Sequence, residues 1–127
     1  MSFVPIPDHY YKIGHHTTST EELRNLVAHA HHLIRLKIAE HPSSPDDVLK
    51  KLATDEHPEV RIAVAEHPTT PANVLEQLVL DASVDVRYAL AENHSLPVVL
   101  LQKLCDDENA YVSYRACKTL GNLGGSK

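Results

Sequence analysis

Histidine is the residue that first suggests chemistry in this chain of 127 residues, which carries ten of them. The densest group is His29, His31 and His32, with His15 and His16 close by. His29 and His32 stand one helical turn apart, so both rings can reach a single metal ion. That pair is the alternative metal site the sequence offers. It lacks the HExxH pattern and an acidic ligand at a defining spacing, so the expectation is no metal and no cofactor. The two cysteines, Cys105 and Cys117, make neither a CxxC redox motif nor a cysteine metal cluster. A glycine-rich phosphate loop and a nucleophile elbow are missing as well. Both cysteines are expected as small buried residues, and the chain as non-enzymatic.

The elements that must position these residues follow from an internal repeat, the first pattern to seek because missing it misreads the fold. Pro45, Pro71 and Pro97 succeed one another at 26-residue steps, as do Leu49, Leu75 and Leu101, and Leu52, Leu78 and Leu104. Val60-Arg61 returns as Val86-Arg87, and Arg35 is the equivalent one step earlier. Ala39-Glu40-His41-Pro42 returns as Ala65-Glu66-His67-Pro68 and degrades to Ala91-Glu92-Asn93-His94. Four units result, near 19–44, 45–70, 71–96 and 97–122, within one repeat domain over 18–122. Residues 1–17, with Pro5, Pro7 and Gly14, are expected to be irregular, and 123–127 to be a flexible tail.

Each unit holds two short helices. The first, helix A, is expected to start at its proline, which fits an opening helical position because no N–H is needed there. Ser44 or Thr70 would cap it, and Thr18 with Glu21 would form a capping box for the first unit. Helix B begins near Pro58 and ends at His-Pro, because the residue before proline disfavours the α region. In the last unit helix B is expected to stop at Gly121. Helices of about ten residues are marginal alone and persist by stacking unit on unit.

Thr69-Thr70-Pro71 with Leu75 and Leu78, then Asp81, Val86-Arg87, Ala89 and Ala91-Glu92-Asn93, resemble the leucine-rich repeat variant family of HEAT-like and armadillo-like superhelices. The resemblance spans about residues 19–120. It implies an all-α, right-handed α-α superhelix of four two-helix repeats, in which one helix of each pair can be 3₁₀. Some members carry a cysteine-ligated iron–sulfur segment ahead of the repeats, but the first 40 residues here contain no Cys, so that cluster is not implied. Asp55 with Arg61, and Asp81 with Arg87, match the Asp and Arg spacing of HEAT repeats. The resemblance implies that these side chains form a structural ladder between neighbouring units. HEAT-like superhelices include DNA-repair glycosylases and bilin lyases, so an enzyme or a nucleic-acid-binding domain is carried as an alternative.

In helix B, equivalent positions form rows. Leu36, Ile62, Tyr88 and Tyr114 make one; Glu40, Glu66, Glu92 and Lys118 make another; Leu33, Glu59, Asp85 and Tyr111 make a third. Within a unit these fall on one helical face, opposite Val60, Ala63 and Val64. If helix B lines the concave side, this face is a groove with an apolar row beside an acidic one. The groove suits a protein or peptide with apolar anchors and Lys or Arg on its flank. The competing reading packs Ile62 and Tyr88 between units and leaves the glutamates as a solvated face. Self-association into a homodimer through the same row is a further option. His29-Ala30-His31-His32 aligns with Asp55-Glu56-His57-Pro58, an interhelix turn, so the expected role of these histidines is capping rather than metal binding.

Bulk composition agrees. Hydrophobic residues reach 43% and aromatics 5%, with no Trp, a mix that suits close-packed short helices better than a β-sandwich. Net charge is −5. A duplex-binding domain needs a clustered positive face, so nucleic acid is not expected as partner. No stretch approaches the ~18 apolar residues of a membrane span, and the N-terminus lacks a signal-peptide pattern. A cytoplasmic location is the expectation.

Overall fold

The computed structural model describes residues 18–28 and 31–123. They form eight α-helices and no strand. The order is α1 (Thr20–Leu26), α2 (His32–Glu40), α3 (Asp46–Leu52), α4 (Pro58–Glu66), α5 (Ala72–Leu78), α6 (Val84–Ala91), α7 (Val98–Cys105) and α8 (Ala110–Leu123). The odd-numbered helices are the A helices of the repeat and the even-numbered ones the B helices. None of the described helices is long and apolar enough to cross a membrane. Residues 1–17 and 124–127, which carry the irregular segment and most of the expected tail, lie outside the described residues.

The punctuation differs from the sequence expectation in four places. Pro45, Pro71 and Pro97 are N-cap residues, one step ahead of their helices, with extended ψ of 166°, 151° and 138°. The Pro45 carbonyl accepts from the N–H groups of Val48 and Leu49, both at 3.0 Å. A cap contributes its carbonyl and needs no N–H of its own, so proline costs nothing there. Second, Ser44 and Thr70 do not cap helix A. Their hydroxyls donate backwards to the carbonyls of Ile38 at 2.5 Å and Val64 at 2.6 Å, at the end of the preceding B helix. Third, the capping box is Ser19 with Glu22, one residue later than Thr18 with Glu21. Finally, α8 runs through Gly121 to Leu123, because a lone glycine lowers helix propensity by only about 1 kcal/mol. The start of α4 at Pro58 and the ends of α2 and α4 before His41 and His67 match the sequence reading.

The core is aliphatic and continuous. Leu23, Ile34, Ile38, Leu49, Leu52, Val60, Leu78, Leu90, Leu101 and Leu104 are fully buried within it. Successive B helices pack directly on one another, α2 on α4, α4 on α6, and α6 on α8. No two of the described A helices pack as closely. The B helices therefore form the closely packed layer of the stack.

Candidate binding face

The B-helix face carries the rows read from the sequence. Tyr114 is 66% exposed, whereas Leu36, Ile62 and Tyr88 are half-buried and rest against the core. Glu40, Glu66 and Glu92 are exposed. Glu40 and Glu66 are the last residues of α2 and α4, and Glu92 is the C-cap of α6. Each carboxylate therefore sits at a helix C-terminus, where free carbonyls and the macrodipole already place negative potential. None of the three enters an ion pair among the described residues. Lys118 ends the acidic row, with its Nζ 3.5 Å from the Tyr114 hydroxyl and 5.7 Å from the ring centroid.

Two cavities open between consecutive glutamates. One, of about 170 Å³, is lined by Ala39, Glu40, Ala63, Glu66, His67 and Pro68. The next, of about 320 Å³, is lined by Glu66, Ala89, Glu92, Asn93 and His94. Ala63 and Ala89, each 7% exposed, leave this space because a methyl group fills so little of the gap between helices. Ala63, expected opposite this face, instead borders it, because it stands three residues before Glu66 and so on the same side of the helix.

Behind the face runs the ladder. Arg35 pairs with Asp55, Arg61 with Asp81, and Arg87 with Asp107, each arginine reaching the aspartate of the following unit. Arg61 donates through Nε and Nη2 to Asp81 at 2.8 and 3.0 Å, and Arg87 does the same to Asp107 at 2.8 and 3.2 Å. The remaining nitrogen, Nη1, donates to the carbonyl of the same unit's aspartate, at 2.6 Å for Arg61 to Asp55 and 2.7 Å for Arg87 to Asp81. Only a planar fork with several donors can span both groups. The aspartates also accept from the N–H two residues on, at His57, Ser83 and Asn109. Asp55, Arg61, Asp81 and Arg87 all take part in these bonds. Arg35 and Asp107 complete the ladder, and each lies one 26-residue step from a named partner. Burial works against the Asp55 and Asp107 carboxylates. The arginine of the preceding unit and the turn N–H outweigh it and hold both below the usual carboxylate range. Arg61 and Arg87 are correspondingly raised, chiefly by hydrogen bonds to Asp81 and Asp107.

Several of the described histidines serve turns. His41 and His67 are buried, and their Nδ1 atoms accept from the N–H of Ser43 and Thr69 at 3.0 and 3.1 Å. Asn93 accepts likewise from Ser95 at 2.8 Å. His67 Nε2 lies 2.8 Å from the His41 carbonyl oxygen. A carbonyl only accepts, so the geometry assigns the His67 proton to Nε2. His31 Nδ1 caps α2 through the N–H of Leu33. His32 stacks on His57, centroids 4.2 Å apart with planes 5° from parallel. Burial, then the nearby positive charge of His57 and His31, lowers the His32 pKa. Among the described residues no three ligand side chains gather at a metal-sized point, and His29 lies outside them.

The cysteines depart from expectation. Cys105 is half-buried and Cys117 is exposed. Ala39, Ala65 and Ala91, the equivalents of Cys117, are fully buried, because a following B helix covers them. No described helix covers that side of α8.

Residues 58–83 match the model of the leucine rich repeat variant family. The match begins at the first residue of α4 and ends just before α6, one full period of the repeat. No curated protein and no solved structure matches the chain.

Proposed function

We propose that this chain, which carries the leucine rich repeat variant, is a non-enzymatic binding module whose B-helix face holds a basic protein or peptide segment. The alignment of an exposed acidic row beside an apolar one, on the B-helix side of the stack, carries the reading. The chain's net charge of −5 favours a basic partner by steering. Apolar contact comes from Tyr114 and from the exposed edges of Tyr88, Ile62 and Leu36, and the glutamates flank it. A charged rim sets association rate and selectivity, while an aromatic anchor supplies most of the affinity.

The test is capture of a partner by the full chain compared with Tyr114→Ala and Glu66→Lys. Both residues are exposed, so circular dichroism and melting should be unchanged. Capture is expected to fall about tenfold or more for each. Undiminished capture by both variants would place binding elsewhere on the molecule.

A further inference from the structure

The face has a register as well as a sign. The two cavities repeat one unit apart, and each has the same parts: a carboxylate from one B helix, a carboxylate from the next, and an alanine floor. Glu66 is shared by both. The helix ends at these cavities add negative potential to the two carboxylates. A guanidinium or ammonium group with its aliphatic stem against the alanine suits such a space, since long basic side chains bury their stems and keep their heads wet.

Packed helices stand about 9 Å apart, so consecutive cavities repeat at about that distance. Three residues of a polyproline II chain advance about 9 Å. With three residues per turn, every third side chain also projects from the same side. A β-strand returns to one side every second residue, after about 7 Å, and falls short of the next cavity. An α-helix gains about 6 Å in a four-residue step and about 10.5 Å in the seven-residue step that returns to the same face, one short of that distance and one beyond it.

Building on the function proposed above, we infer that the occupant is an extended peptide in polyproline II conformation with Lys or Arg at every third position, one basic side chain per cavity. The two cavities take two consecutive basic residues. Lys118 in the fourth place of the row rejects a third and sets the end of the basic stretch.

The experiment measures binding of the full chain to fluorescein-labelled proline-based peptides by fluorescence anisotropy, at low and at high salt. One peptide carries two arginines three positions apart, others carry them two or four positions apart, and a control carries glutamines. The three-position peptide is expected to bind about tenfold more tightly than the other arginine peptides, with strong salt dependence, and the glutamine control not at all. Glu66→Gln, which strips a wall from both cavities, should weaken it about fivefold. Glu40→Gln and Glu92→Gln should each weaken it about twofold. Equal binding of all arginine peptides, weakened equally by Tyr114→Ala, would overturn the register and leave the binding face in place. If no arginine peptide binds while partner capture still depends on Tyr114 and Glu66, the register also falls and the binding face stands. If capture too is indifferent to both residues, both readings fall.

Discussion

At the scale of single residues the stability of the stack turns on how its buried charges are tied. The Asp81 side chain is only 9% exposed and faces Arg61, itself 15% exposed. Replacing Asp81 with Ala strands a largely buried guanidinium, and a loss of about 3 kcal/mol in urea unfolding is expected. Arg61→Lys keeps the charge but cannot reach both the Asp81 carboxylate and the Asp55 carbonyl, so a smaller loss of about 1–2 kcal/mol is expected. Arg24 with Asp47 forms the same kind of pair in the open, and Arg24→Ala should leave the unfolding midpoint unmoved. Acid probes the same residues. Asp55 and Asp107 have folded pKa values below the ordinary range. Their contribution is therefore complete above an unfolded pKa of about 4 and is lost as pH falls through the lower folded value. His32, lowered in the fold, contributes fully above about 6.5, and that contribution fades as pH drops through its folded pKa. Denaturant midpoints measured against pH should show a shallow decline below about 6.5 and a steep one below about 4. His32→Gln should make that shallow decline smaller and leave the steep one in place. A midpoint flat down to pH 4 in the unmodified chain would count against the His32 assignment.

At the scale of helices, what the sequence displays depends on whether a position speaks through side-chain identity. The 26-residue spacing of Pro45, Pro71 and Pro97 was visible because the same cap recurs. The offset between cap and first helical residue was not, because proline suits both places. The Asp–Arg pattern was legible as a ladder. Its completion by Arg35 and Asp107 needed the knowledge that each arginine reaches forward 20 residues to the next unit. Ser44 and Thr70 depart from the expected caps because a hydroxyl beside a proline can serve the helix before it as well as the one after it. Cys117 is exposed where burial is expected, because burial of its equivalents depends on the neighbouring unit rather than on its own helix. The last hairpin gives this a measurable consequence. Burial, and then contact with the Cys117 thiol, pushes Cys105 up to about 11. Near pH 8 iodoacetamide should therefore label exposed Cys117 and leave Cys105 unmodified, as read by peptide mass spectrometry. The Cys105 rate should climb about tenfold per pH unit below about 11, because the thiolate is the nucleophile. Comparable labelling of both near pH 8 would show that the α7–α8 hairpin opens readily in solution.

For the whole molecule the stack is close to one-dimensional, so each unit's stability is its own plus that of its interfaces. Helices α4 and α6 have a B helix packed on either side and a ladder arginine reaching forward to the next unit. At the N-terminal end of the described residues, α2 is the one described helix that packs closely on α1, and the exposed Arg24–Asp47 pair links α1 to α3. The other end is built differently. There α8 is the longest of the described helices, packs against both α6 and α7, and has its Thr119 hydroxyl donating at 2.6 Å to the Ala91 carbonyl of α6. Ser113 stands where the ladder arginine would be, so the ladder stops at Asp107 among the described residues. Opening should therefore be graded and asymmetric. Amide hydrogen exchange, followed by mass spectrometry on peptic fragments, is expected to show α1 exchanging first, α8 later, and α4 and α6 last, since local opening follows local contact and burial. Asp81→Ala cuts the rung between α4 and the turn before α6, and should speed exchange in both while leaving α1 at its original rate. Uniform acceleration across the whole chain would mean that the units unfold as one block, and that the ladder adds stability without dividing the stack into separable steps.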